Sequence, residues 1–470
     1  VASKRIKVGC GQMKATFLNE ADRALESVRA LIADAGRQQL DLLVLPECSY
    51  PAYLLGSVAS YRQSGCLSGD DYLAELQEQA RTHRVHIAAG FVHEVGDVLY
   101  NAAALLSPRG DVLGIYHKLL MWHVDSRWFQ PGDNIAALDT ELGRIGILIC
   151  ADVRVPEEVA TLAADGAELI CVPTCWIDMP RQPGEHYNPQ ADFLIQARSL
   201  EFGVPFACAN KFGVETAGTG YCGLSLITAA DGTALAQADA ESAGVICAEV
   251  EPTRPRLVQV EPGLSDALLA PPEPLPAVPD GPTNLRMALM SGTALRNHPL
   301  LRSADSAQEF FQTLRMAGVS LLFALAPDEA AANALAQLGL SHGISVAAVP
   351  VGDGLSGQPG LLYGTLSAQQ AGTFAPARTL ALRGARLIAV FGDDVPQVLL
   401  RARALENRIF VAAVESSSVS LTGVNGAVVF AGYDQTEVLI VEIDRAQADD
   451  KCVAPGTDII EQRRPASYRF

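Results

Sequence analysis

The stretch Arg144-Ile-Gly-Ile-Leu-Ile-Cys150-Ala-Asp-Val-Arg-Val-Pro-Glu157 runs from an apolar segment into what reads as the start of a helix. A short unbroken apolar run predicts a buried strand, so the stretch predicts a strand-to-helix turn with Cys150 at the junction. A thiol there sits near free backbone N–H groups, which can lower its pKa and hold an oxyanion. A cysteine that closes an apolar strand is also commonly inert core, so its partners decide.

The same alternation extends on both sides. Ile6–Met13 reads as a strand, Ala21 to Gln38 as a helix, Leu42–Pro46 as a strand, Asp71–Thr82 as a helix and His86–Val92 as a strand. Tyr100–Leu106 and Val112–Tyr116 flank the turn Ser107-Pro-Arg-Gly-Asp111, which predicts an antiparallel hairpin and hence a mixed sheet. Leu169–Pro173 and Pro205–Asn210 are further strands, with helices near Glu157–Ala164 and Pro189–Phe202. This is the pattern of a layered α/β domain.

At 470 residues the chain suits two domains of roughly 200 residues each, because single cores stop growing near 250–300 residues. With 49% hydrophobic and 19% charged residues it can bury sizeable cores. A formal net charge of −18 argues against nucleic acid and anionic membrane as partners, since both need a basic face. Val1 to Lys14 lacks the pattern of a signal peptide, and no apolar stretch is long enough to span a bilayer, so a cytoplasmic protein is expected. Ten cysteines, several in apolar runs, predict no disulfide framework. Cys171 with Cys175 and His83 with His86 lack a second pair at zinc-ligand spacing, so no metal is expected.

From Pro252 to Pro282 the chain becomes proline-rich, which predicts a linker without a continuous helix or central strand. The expected domains are thus 1–251, a linker over 252–283, and 284–470. The second half repeats the first. Thr161-Leu-Ala-Ala-Asp-Gly-Ala-Glu-Leu-Ile170 returns as Thr379-Leu-Ala-Leu-Arg-Gly-Ala-Arg-Leu-Ile388, and Ala197-Arg-Ser-Leu-Glu201 returns as Ala402-Arg-Ala-Leu-Glu406. Lys7–Met13 aligns with Arg286–Gly292, His83–Val92 with His342–Val351, and Val245–Glu249 with Val438–Glu442, all in the same order. The period is a whole domain, as in a tandem duplication.

Glu47 closes the apolar run Leu42-Leu-Val-Leu-Pro-Glu47, and Lys118 follows Leu113-Gly-Ile-Tyr-His-Lys118. Each alone reads as a solvated charge at a strand end. Together with Cys150, and with Phe129-Gln-Pro-Gly-Asp133, Gly166-Ala-Glu-Leu-Ile, Ala197–Glu201 leading to Asn210, Gly223-Leu-Ser225 and Asp231-Gly232, the ordered series from Ile6 to Val250 resembles the nitrilase superfamily of carbon–nitrogen hydrolases. The resemblance implies a four-layer α-β-β-α sandwich and a Glu–Lys–Cys triad. Cys150 is then the nucleophile, Glu47 the general base, and Lys118 the cation that stabilises the tetrahedral intermediate. Elementary chemistry agrees: an ammonium favours a thiolate beside it, a carboxylate relays the proton, and the cation with the Ala151 N–H holds the oxyanion. Ammonia or an amine leaves, water attacks the acyl-thioester, and no metal or organic cofactor is required.

Where many amidase-type members carry a second glutamate, seven residues before the Pro-Gly glycine, this chain has Asp125. The shorter side chain leaves open whether Asp125 positions Lys118 or the substrate amide, or is a solvated loop residue. Arg154, four residues after Cys150, suits a substrate carboxylate, and equally Glu157 or a backbone carbonyl. Tyr53, Trp122, His123, Trp176 and Tyr187 are pocket candidates by their irregular, aromatic loops.

The second half lacks this chemistry. The repeat offsets place Ala368 at the nucleophile position and Ala326 at the glutamate position, with Asp328 two residues on. From Thr283 to Phe470 the sole cysteine is Cys452. A reduced, noncatalytic sandwich is expected, forming a pseudo-dimer with the first. An isolated Val1–Val250 should then aggregate or homodimerise. The ending Arg463-Arg-Pro-Ala-Ser-Tyr468 also resembles the family's C-terminal tail, which commonly runs over a neighbouring subunit.

Nitrilases proper usually have Trp-Glu after the nucleophile, and this chain has Ala151-Asp152, so a small amide or N-carbamoyl substrate is expected over a nitrile. A glutaminase fused to a synthetase would need an ATP-binding glycine-rich loop, and lipoprotein acylation would need membrane helices. A fold-alike that binds without catalysing is the alternative from another class.

Overall fold

The computed structural model describes residues 5–216, 218–257, 262–298, 301–348, 355–432 and 438–470. The chain divides into two units, Val1–Gln259 with Ala454–Thr457 and Gln462–Phe470, and Val260–Val453 with Asp458–Glu461.

The first unit opens with strand β1 (Ile6–Lys14), helix α1 (Ala21–Arg37), strand β2 (Leu42–Tyr50) and the short helix α2 (Val58–Gln63). Helix α3 (Gly69–His83) leads to strands β3 (His86–Val95), β4 (Val98–Leu106) and β5 (Val112–His117). Strands β6 (Leu138–Thr140) and β7 (Gly143–Ile147) precede helix α4 (Pro156–Ala164) and strand β8 (Leu169–Pro173). After helix α5 (Ile195–Phe202) come β9 (Phe206–Ala209), β10 (Lys211–Thr216), β11 (Thr219–Cys222), β12 (Leu226–Thr228), β13 (Ala234–Gln237) and β14 (Gly244–Val250).

One sheet has the order β11-β10-β1-β2-β3-β4-β5 with β14 beside β1, and the other β13-β12-β9-β8-β7-β6. Helix α1 buries Ala24, Val28, Leu31, Ile32 and Ala35 along one face, against Leu43 and Leu45 of β2. The opposite face of β2 meets β8 and β9 of the second sheet. Covered on both sides, β2 is buried at every residue, which is why it reads as an unbroken apolar run. On the far side Leu162 of α4 lies over Gly146 of β7, where a Cβ would come within 2.8 Å of it. The first unit is therefore a four-layer α-β-β-α sandwich, and β4 and β5 pair antiparallel across the Ser107–Asp111 turn as the sequence predicts.

Two expectations need correction. The strand of the opening stretch ends at Ile147, and Cys150 begins a 3-10 turn, Cys150–Arg154, before α4 starts on Pro156. The proline-rich segment also contains a helix, α6 (Pro262–Leu269). Its only proline occupies the first position, where a missing N–H costs nothing, and no other proline occurs before Pro271.

After α6 the second unit contains β15 (Asn284–Met290), α7 (Gly292–Asn297), α8 (Ala304–Met316), β16 (Val319–Ala324), α9 (Glu329–Ser341) and β17 (Ser345–Ala347). Next are β18 (Leu355–Gln358), β19 (Leu361–Ser367), α10 (Ala368–Ala371), α11 (Phe374–Leu382) and β20 (Leu387–Phe391). Helix α12 (Gln397–Asn407) and strands β21 (Phe410–Val414), β22 (Val419–Thr422), β23 (Val428–Gly432) and β24 (Leu439–Asp444) complete it. Its sheets, β17-β16-β15-β24 and β18-β19-β20-β21-β22-β23, share an apolar core that includes Met287, Phe323, Leu387 and Phe410. The end of the repeat segment at Val351 lies outside the described residues. Among the described residues no helix is long and apolar enough to cross a membrane.

The late segments of the first unit are tied to the residues around its site. Arg463 Nε donates to Glu157 Oε1 at 3.1 Å with both side chains buried, Ser467 Oγ donates to the Asp133 carbonyl, and the Arg469 N–H donates to Thr161 Oγ1.

Candidate active site

Glu47 sits where β2 breaks register. Leu45 pairs with Ala89 and Tyr50 with Phe91, so Pro46 to Ser49 bulge outward against the single residue Gly90. Bulges of this kind re-aim side chains. The backbones approach so closely that a Cβ on Gly90 would lie 2.6 Å from Glu47 Cα and 2.6 Å from the Pro46 carbonyl. Only glycine fits there.

Lys118 follows β5, held by its N–H on the Asn101 carbonyl at 2.9 Å. Its Nζ donates to Glu47 Oε1 and to Asp125 Oδ2, both at 2.7 Å, and all three side chains are at most 1% exposed. The Asn101 side chain donates to the same Glu47 oxygen, and the Trp122 N–H to the same Asp125 oxygen. Asp125 is thus a buried partner of Lys118 and not a solvated loop residue. The remaining oxygens, Glu47 Oε2 and Asp125 Oδ1, are buried without a hydrogen-bond donor among the described residues. Burial favours a neutral lysine, but Asp125 and Glu47 together outweigh it and hold the ammonium well above its ordinary pKa. Burial raises Asp125, with Lys118 opposing it.

Cys150 lies at the tip of the turn after β7, in the left-handed region at φ 49°. Burial first, then the Glu47 carboxylate, push its thiol up; Lys118, the Thr174 side chain and the Cys175 N–H only partly offset them. The resting group is therefore a thiol, contrary to the expectation that Lys118 alone favours the thiolate. The turn is pinned by Asp152, which accepts from the Ile149 and Leu120 N–H groups and from Tyr116 Oη. Burial raises this carboxyl to about 6 against those hydrogen bonds.

The tentative pocket residues fall into two groups. Tyr53 is buried, its ring 5.9 Å from Lys118 Nζ and its hydroxyl 3.4 Å from the Trp122 carbonyl. Arg154 donates to Gln190, which in turn donates to the Cys150 carbonyl, and its guanidinium lies 4.7 Å above the Trp122 ring. Ala151 is buried within the same turn. Trp176 is buried with its N–H on Asn210, next to Cys175, whose thiol donates to the Glu47 carbonyl. Tyr187, by contrast, packs under Arg181 in its own loop. Sequence reasoning passed over Gly90, Asn101, Asp152 and Gln190. Asn101 left a signal, an amide within the otherwise apolar run Leu99–Leu106.

An α-β-β-α sandwich that buries a carboxylate–ammonium–carboxylate cluster beside a cysteine on a tight turn has the make-up of a hydrolytic enzyme. The carbon-nitrogen hydrolase family model matches residues 7–258. A nitrilase of Pyrococcus abyssi is 31% identical over 248 residues, 52% of this chain and 90% of that protein. The chloroplastic omega-amidase of Arabidopsis thaliana is 27% identical over 259 residues, 53% and 68% of the two chains. An amidase structure from Nesterenkonia sp. covers 54% of this chain and 93% of its own, with a TM-score of 0.47 and 24% identity. The chain belongs to the carbon-nitrogen hydrolase family, within the nitrilase superfamily, and is an enzyme that hydrolyses carbon–nitrogen bonds other than peptide bonds.

Proposed function

We propose that the first unit hydrolyses a small primary amide or N-carbamoyl compound through a Cys150 acyl-thioester. The observation that carries this is the pair of donorless buried oxygens, Glu47 Oε2 and Asp125 Oδ1, on the two carboxylates that Lys118 joins. Buried acceptors favour a ligand that brings N–H donors. An –NH2 group brings two, and a nitrile brings none.

Glu47 takes the Cys150 proton as sulfur attacks the carbonyl carbon, because the thiol is not ionised at rest. Two of the three Lys118 N–H bonds hold the carboxylates, leaving the third for the developing oxyanion, with the Ala151 N–H as second donor. The intermediate collapses by breaking the C–N bond, and the Glu47 proton passes to the leaving nitrogen. Water then loses a proton to Glu47, attacks the thioester carbon, and the expelled sulfur recovers that proton. The test is ammonia release from short primary amides, N-carbamoyl amino acids and the corresponding nitriles. Release from amides or carbamoyl compounds with none from nitriles is expected; release from nitriles alone overturns the assignment.

The second unit, beyond the 252–283 segment, is read as a degenerate copy that pairs with the first as a pseudo-dimer. Support comes from the repeated segments and from strand order. β1 lies parallel to β2 and antiparallel to β14, and β15 lies parallel to β16 and antiparallel to β24. Ala368 directly follows β19 and Ala326 follows β16, and the Asp328 carboxylate caps α9 by accepting from the Ala331 N–H. Ala368 and Ala326 offer neither a nucleophile nor a base, and the Asp328 carboxylate is engaged as a helix cap.

A further inference from the structure

We infer that Thr457, more than three hundred residues from the triad in sequence, is a positioning residue for the reaction proposed above, on which this inference rests. Its buried hydroxyl accepts from the His123 N–H at 2.7 Å and lies 3.3 Å from the Met121 carbonyl, to which it donates. Both backbone groups belong to the first unit, as does Thr457 itself.

These two contacts clamp one turn. His123 is in the left-handed region at φ 49°, a conformation that a residue with a side chain adopts only when its surroundings enforce it. That turn reverses the chain between Lys118 and Asp125. Before it Leu120 is held by Asp152; across it Trp122 and Asp125 bond to each other, the Trp122 N–H to the Asp125 carboxylate at Oδ2 and the Asp125 N–H to the Trp122 carbonyl. The reversal returns the Asp125 carboxylate to within 2.7 Å of Lys118 Nζ. Aspartate is shorter than glutamate, so the loop backbone must come closer to Lys118 to keep this contact. Thr457 holds its apex there from outside the loop, beside the Tyr53 hydroxyl on the Trp122 carbonyl. Without the hydroxyl, the His123 N–H and the buried Met121 C=O lose their partner, and the turn can relax away from the left-handed conformation. A displacement of about 1 Å at such a group costs up to about a hundredfold in rate.

The test uses the full chain and three proteins: unaltered, Thr457→Val, which keeps the shape and removes the hydroxyl, and Thr457→Ser, which restores it. Two readouts are taken: kcat and KM on a short aliphatic primary amide, and the ratio of Cys150 alkylation rates by iodoacetamide and by iodoethane. Only the first alkylating reagent offers N–H donors to Glu47 and Asp125. Thr457→Val should lower kcat by roughly ten- to a hundredfold and slow iodoacetamide while leaving iodoethane unchanged, so that the alkylation ratio falls toward that of a free thiol such as glutathione, with Thr457→Ser near the unaltered protein. Unfolding instead exposes Cys150 and speeds both reagents, and the iodoethane rate tells it apart. If the valine variant does not fold, hydrogen exchange on the unaltered chain decides: the His123 amide must exchange as slowly as that of Phe129. Values for Thr457→Val that match the unaltered protein in both readouts, or a fast-exchanging His123 amide, overturn the inference. A Cys150 that neither alkylates nor turns over in the unaltered chain overturns the amidase reading instead, and the exchange measurement still decides the clamp.

Discussion

Lys118 Nζ donates to Asp125 Oδ2 at 2.7 Å, so the shorter acid does reach the lysine of the proposed triad. Asp125→Asn keeps the shape and removes the charge. It should lower kcat/KM by about a hundredfold or more, because the substrate nitrogen loses an ionic acceptor and Lys118 loses a partner. Asp125→Ala additionally leaves the buried ammonium with Glu47 alone and should lower the melting temperature, whereas Asp125→Asn should lower it less. Steady-state kinetics with thermal denaturation of both variants checks this, and activity unchanged in Asp125→Asn contradicts it.

Cys150→Ala should abolish turnover while the fold is retained, and Cys150→Ser should be severely impaired, since a hydroxyl yields its proton far less readily than a thiol. Cys452 is exposed in the second unit, so Cys452→Ser should leave the rate unchanged. The elevated Cys150 thiol pKa also has a kinetic sign. Burial and the Glu47 carboxylate raise the thiol, so alkylation by iodoethane should rise steadily from pH 7 to pH 10. A plateau below pH 8 would contradict the resting thiol.

Gly90 touches no substrate, yet Gly90→Ala should cost most of the activity. The new methyl would lie 2.6 Å from Glu47 Cα, so either the bulge or β3 must move and the carboxylate moves with it. Kinetics paired with Cys150 labelling separates this effect from unfolding: the thiol should remain modifiable while turnover falls.

His93 Nδ1 and His117 Nε2 are 2.9 Å apart, a contact that needs one ring to accept. Burial first, then His93, lower His117 from 6.5 to about 4, and burial lowers His93. A group with a depressed folded pKa gives stability that is present above its unfolded value and lost as pH falls. The loss should therefore develop between pH 6.5 and about 4. His117→Gln should flatten the denaturation midpoint over that window, and an unchanged slope contradicts this.

Legibility in the sequence followed the range of the interaction. Strands β1, β2, β3 and β8 and helices α1 and α4 were readable because burial on one or two faces sets a local apolar period. Glu47, Lys118 and Cys150 were readable as candidates because each lies in or just after a strand that carries its own motif. What escaped depended on pairs distant in the chain. The need for Gly90 exists only because β3 crosses a bulge in β2, and the roles of Asn101 and Gln190 exist only once Glu47 and Cys150 are in place. The direction of the Cys150 thiol was hidden for a related reason: Lys118 is visible in the sequence, whereas burial, the larger influence, is not. In the linker, the density of prolines over the whole segment masks the proline-free run from Gly263 to Ala270 in which α6 forms.

The first unit is closed by residues 454–457 and 462–470, and this sets an order of events during synthesis. Translation must deliver roughly two hundred further residues after β14 before Thr457 and Arg463 exist, about 10–40 s at ordinary elongation rates. Through that interval the buried Glu157 lacks its Arg463 partner and the His123 turn lacks its clamp. The nascent chain therefore waits, unfinished, for residues 454–470, and a ribosome that stalls within the second half leaves a product without the His123 clamp.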